Sequence, residues 1–158
     1  MGDIFLMLPS DQFIAGLVCF LITHICYIVG FLSDSQFGRP LRPYISLAIV
    51  AVFIYSAISH NIANTMKIPV AIYAAALCLM TSQAMARNSQ NQNKSSLLAM
   101  LGAVLFLISD TLLAYDRFVF VFEFGHVAIL ATYYAAQYLI ARSTRQRAGV
   151  LDPPLQTS

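Results

Sequence analysis

Asp110 is the first residue in the chain that needs a chemical explanation. It lies inside the apolar stretch Leu97–Tyr115, directly after Phe106-Leu107-Ile108-Ser109. An ionised carboxylate is costly in such surroundings, so it must be held by partners or take up a proton. Held protonated, it can donate that proton; ionised, it can stabilise a nearby cation. The plainer alternative is a hydrogen bond between helices. Asp3 stands before Ile4-Phe5-Leu6-Met7-Leu8 and, taken alone, reads as an ordinary interfacial acid.

Other polar groups fall at helical spacing. His24 and Tyr27 are three residues apart within an apolar run, so they share a face, and Phe20 and Gly16 continue that stripe. His126, Tyr133 and Gln137 follow at spacings of seven and four, with Tyr134 adjacent. Each set can be glue between helices or the lining of a polar pocket. Gly102 stands beside Ala99 and Ala103, small residues that let two helices approach closely. Phe118, Phe120, Phe122 and Phe124 read as an interfacial aromatic belt.

These side chains need a scaffold, and the composition says which kind. The chain has 158 residues, 59% hydrophobic and 10% charged, with a mean hydropathy of +0.72. Soluble domains carry about 25% charged residues. Too little polar surface is present for a soluble enzyme, a nucleic-acid binder or a disordered protein. The fold class is therefore all-α, a polytopic transmembrane bundle. A span needs about 20 mostly apolar residues. Five segments come close: Phe13–Leu32, Tyr44–Ser59, Ile68–Ala86, Leu97–Tyr115 and Phe122–Ala141. They make a single membrane domain over residues 1–142. Residues 143–158 are expected to form a disordered cytoplasmic tail.

The connections carry turn chemistry. Residues 33–40 are polar and end in proline, residues 60–64 form a short turn, and Arg87–Lys94 reads as a solvated loop. Arg39, Arg42, Arg87, Lys94, Arg142, Arg145 and Arg147 fall on one side of the implied membrane, against Lys67 and Arg117 on the other. That bias places the C-terminus in the cytoplasm. Cys19, Cys26 and Cys78 lie in apolar segments without metal-ligand spacing and read as packing residues.

Several short motifs together resemble the YhhN-like lysoplasmalogenase family. They are Gly2-Asp3-Ile4-Phe5-Leu6-Met7-Leu8-Pro9, then Gly16-Leu17, Phe20-Leu21 and His24-Ile25-Cys26-Tyr27. Further on come Gly102-Ala103, Phe106, Ile108-Ser109-Asp110 and Thr132-Tyr133-Tyr134-Ala135-Ala136-Gln137. The resemblance covers residues 2–142. It implies a multi-pass hydrolase that cleaves the vinyl-ether bond of lysoplasmalogens. The products are a fatty aldehyde and glycerophospho-ethanolamine or -choline. That family has about eight helices, about three of them ahead of its Gly-Asp motif, and three spans need roughly 60 residues. The expectation is that this chain lacks those three.

The resemblance makes Asp3 and Asp110 the candidate catalytic pair, since they match the family's Gly-Asp and Ser-Asp motifs. Asp110 suits the acid and Asp3 the base or charge stabiliser, with the reverse assignment as the alternative, in chemistry parallel to glycoside hydrolysis. His24, Tyr27, Ser109, Tyr133, Tyr134 and Gln137 are the residues expected to bind substrate or orient water. The partner is a lysophospholipid in the bilayer. No cofactor, metal or nucleic acid is called for. A proton-coupled transporter, with Asp110 and His24 as a relay, and a non-catalytic membrane scaffold are the alternatives.

Overall fold

The computed structural model describes residues 13–120 and 123–151. Five α-helices follow one another: α1 (Phe13–Leu32), α2 (Arg42–Ser59), α3 (Asn64–Asn91), α4 (Lys94–Phe118) and α5 (Gly125–Leu151). No strand occurs among the described residues. The first four are long and apolar enough to cross a membrane. The fifth has the length, but His126, Tyr133, Tyr134, Gln137 and Tyr138 dilute its apolar character. The chain is thus an all-α, multi-pass membrane bundle.

Local chemistry sets the helix ends. α1 coincides with its apolar run and stops at the polar stretch that begins with Ser33. Pro43 occupies the first turn of α2, where its missing N–H would have had no helical partner. Asn93 and Ser96 form a reciprocal capping box at the start of α4. α3 ends on Gln92 in the left-handed conformation, with φ 45°.

Two expectations need correcting at the helix ends. Residues 87–91 are not loop: α3 continues through Asn91, and Arg87 is buried, 2% exposed. Its guanidinium makes a two-pronged pair with Asp34, Nε to Oδ1 at 2.7 Å and Nη2 to Oδ2 at 2.8 Å. A second bond from Nη2 reaches Ser95 Oγ at 3.0 Å, and that hydroxyl donates to the carbonyl of Ser143 at 2.8 Å. Pairing supplies what solvent was expected to supply. Likewise, residues 143–151 are not a disordered tail but the last turns of α5, with Ser143 buried in this network.

α3 is the central helix. It packs against α1, α2 and α4, while α5 lies along α4. Phe20, Leu77, Met80, Ala103, Phe106 and Ile140 belong to the main core, and Phe13, Leu17, Ile58 and Val70 to a second cluster at the other end. Outward faces are apolar. On α1 they include Val18, Ile22 and Val29, and on α2 Ile49, Val52 and Phe53, the last 73% exposed. That arrangement suits hydrocarbon as the solvent.

α4 and α5 touch through small residues. A Cβ on Gly102 would lie 2.9 Å from the carbonyl oxygen of Ala136 and 2.7 Å from Ile140 Cγ1. Backbone cannot yield as a side-chain tip can, so the pair must separate. Gly102→Ala is therefore expected to destabilise the bundle by about 1–3 kcal/mol. Thermal unfolding in detergent reads the effect; an unchanged midpoint would show that the two helices part freely.

Candidate functional site

Three helices converge on Asp110. From α3, the Tyr73 hydroxyl donates to Asp110 Oδ2. From α1, His24 Nε2 lies 3.2 Å from the same hydroxyl oxygen and 4.0 Å from Asp110 Oδ2. The Tyr73 proton is committed to the carboxylate, so its oxygen accepts from His24 Nε2–H. In this arrangement Nε2 carries the proton and Nδ1 is an acceptor. Nδ1 is buried with no hydrogen-bond partner among the described residues. A relay thus runs His24, Tyr73, Asp110, each member on a different helix.

The surroundings hold these groups in place. His24 is fully buried, its ring 5.1 Å from Phe106 in an edge-on contact and 5.2 Å from Tyr73. Tyr133 packs on Phe106 at 5.6 Å and on Phe20 at 5.9 Å, one layer outside the histidine. The Asp110 side chain keeps 11% of its surface exposed. That surface borders two cavities with largely apolar walls, one among α1, α3 and α4 and one among α2, α3 and α4.

The remaining sequence candidates scatter. Tyr27 donates to Gln137 Oε1 at 2.6 Å, joining α1 to α5 about one helical turn beyond His24. Ser109 is buried and donates to the carbonyl of Ile129 at 2.9 Å, so it ties α4 to α5. Tyr134 is 59% exposed and meets only the outer side of the cluster, through Tyr133. His126 is exposed near the start of α5, away from Tyr133 and Gln137. Asp3 and Phe122 lie outside the described residues. Among the described residues no group of three or more His, Cys, Asp or Glu side chains could hold a metal ion.

Tyr73 is the member that sequence reasoning missed. The signal was there: it is the one tyrosine in Ile68–Ala86, and it lies inside the apolar run, five residues past Ile68. A phenol there needs a polar partner, and Asp110 is that partner.

Sequence comparison bears on what such a site serves. The YhhN family profile matches residues 1–144. The chain belongs to the YhhN family. Relatives of known name are similar over most of its length. Lysoplasmalogenase TMEM86A of Bos taurus is 34% identical over 149 residues, covering 90% of this chain and 60% of that protein. Lysoplasmalogenase TMEM86B of Rattus norvegicus is 31% identical over 151 residues, covering 94% and 59%. A lysoplasmalogenase of Mycobacterium bovis is 31% identical over 147 residues, covering 88% and 54%. This YhhN chain therefore spans a little over half the length of the curated relatives it matches. No solved structure matches it.

Proposed function

We propose that the chain acts as a membrane lysoplasmalogenase, with Asp110 as the proton donor. One observation carries this reading: a carboxyl group lies within an apolar bundle, hydrogen-bonded on one side and bordering cavities with largely apolar walls on the other. The names of the relatives supply the substrate class. The substrate is a lysophospholipid drawn from the bilayer.

The chemistry balances with side chains alone. Asp110 gives its proton to the β-carbon of the vinyl ether, and the ether oxygen shares the resulting cation as an oxocarbenium ion. Water adds to the α-carbon and loses a proton to a carboxylate. The hemiacetal then collapses: the bond from carbon to the glycerol oxygen breaks, leaving a fatty aldehyde and a glycerol hydroxyl. Tyr73 positions the carboxyl group, and His24 holds Tyr73. Asp3 is assigned the base or charge-stabilising role on family resemblance alone. Tyr27, Ser109, Tyr133, Tyr134 and Gln137 are assigned supporting roles around substrate and water. The C-terminus is placed in the cytoplasm by the excess of Arg and Lys on its side.

The test is aldehyde release by the purified chain in nanodiscs. A 1-alkenyl lysophospholipid is expected to yield aldehyde. Its saturated 1-alkyl analogue is expected to yield none, because it has no double bond to protonate. Absence of aldehyde from the alkenyl lipid overturns the proposal.

A further inference from the structure

Asp110 stands between two cavities that differ in what their far ends offer. The cavity among α2, α3 and α4 has a volume of about 70 Å³ and is walled by Ala51, Ile54, Ala74, Cys78 and Leu107. Thr111 is its one hydroxyl away from Asp110 and the tyrosines, and that hydroxyl is already bonded to the carbonyl of Leu107 at 2.7 Å. Among the described residues nothing charged lines it apart from Asp110. The cavity among α1, α3 and α4 has a volume of about 40 Å³ and includes a cation, Arg117. Val70, Tyr73, Asp110 and Ala114 line both.

Arg117 is well placed to meet an anion. It lies seven residues beyond Asp110 on α4, on the same face, about 10 Å along the axis. Its guanidinium rests 5.2 Å from the centre of the Phe13 ring, which holds it at this end of the cavity. In a single-chain alkenyl phospholipid, seven bonds separate the carbon that accepts the proton from the phosphorus. At a little over 1 Å of reach per bond, that is about 8–9 Å. The carbon on the other side of the reacting centre is the start of the hydrocarbon chain. A substrate with its reacting carbon at Asp110 must send chain and phosphate in opposite directions.

We propose that the two cavities divide the lipid in this way, with the chain among α2, α3 and α4 and the phosphate on Arg117. Arg117 is then the head-group determinant, through the paired donors that suit a phosphate. Ala51 and Ala74 set how much chain fits. This placement rests on the lysoplasmalogenase reading and gives its site a polarity.

Binding tests it without relying on turnover. The probe is a radiolabelled saturated 1-alkyl lysophosphatidylethanolamine, which cannot be cleaved, bound to the purified chain in nanodiscs. Arg117→Gln is expected to weaken it about tenfold. The same variant is expected to leave the phosphate-free 1-alkyl glycerol unaffected. Ala74→Leu and, from the facing helix, Ala51→Leu are expected to weaken a 16-carbon chain about tenfold relative to a two-carbon chain, which ends before the cavity. A matching shift from two helices separates a filled cavity from a misfolded variant. Equal losses for both lipids in Arg117→Gln, or an unmoved chain preference in both alanine variants, overturn the placement. So does equally tight binding of a two-chain phospholipid. Lack of aldehyde release with this binding pattern intact would remove the hydrolase reading and leave the placement standing.

Discussion

Asp110→Asn is expected to abolish aldehyde release, lowering it by about 10²–10⁴-fold, the usual span for loss of a general acid. The substitution suits the test because asparagine keeps the shape and can still accept from the Tyr73 hydroxyl. The fold should survive, and unfolding midpoints in detergent should stay within a few degrees of the parent. Only the transferable proton is lost. Tyr73→Phe gives the contrast. Without the phenol, the carboxyl group loses its hydrogen bond and its fixed orientation, but not its acidity toward carbon. About a tenfold fall in kcat with little change in KM is expected, in line with one lost positioning bond. Unchanged turnover in both Asp110→Asn and Asp3→Asn would remove the two-aspartate mechanism.

Arg87→Met is expected to be the most destabilising single change, at about 2–4 kcal/mol. Removing one partner of a buried ion pair costs about 3–5 kcal/mol, because the other charge is left behind. The lower figure here reflects Asp34, whose side chain is 26% exposed and can recover some hydration. Four pieces of chain meet at Arg87: the loop after α1, α3 itself, Ser95 at the start of α4, and Ser143 of α5 through that serine. Asn91 adds a bond to the carbonyl of Asp34 at 3.1 Å. Arg87→Lys keeps the charge but cannot form the paired contact, so an intermediate loss is expected. In the double variant Arg87→Met, Asp34→Asn, part of the stability should return. Chemical unfolding in detergent measures all three. Equal losses in the single and double variants would show that the packing of the arginine stem, and not the charge, is what counts.

What could be read in the sequence follows from what each feature depends on. The end of α1 was legible, because its apolar run and its helix both stop at Leu32. The close pairing at Gly102 was legible too, since small residues at helical spacing have few other uses in a span. α3 was underestimated at both ends. Its polar ends looked like loop because charge implies water, yet Arg87 found its charge partner 53 residues earlier in the chain. Apolarity marks where a helix is greasy, not where it stops. The same reason hid Tyr73. Asp110 and His24 are conspicuous by type in apolar runs, whereas a tyrosine gains its role only when three helices bring it between them. Conversely, Tyr134 shares a motif with Tyr133 but sits about 100° further round the helix, on an exposed face.

Both cavities at Asp110 have largely apolar walls, and the helices around them turn more apolar surface outward. A ligand that enters through such walls never passes through bulk water. It arrives by diffusion in two dimensions, already oriented by the leaflet that carries it. The concentration that governs occupancy is then its mole fraction among the surrounding lipids, not its molarity in the buffer. Diluting the substrate with inert lipid lowers the rate, while diluting the vesicles themselves leaves it unchanged.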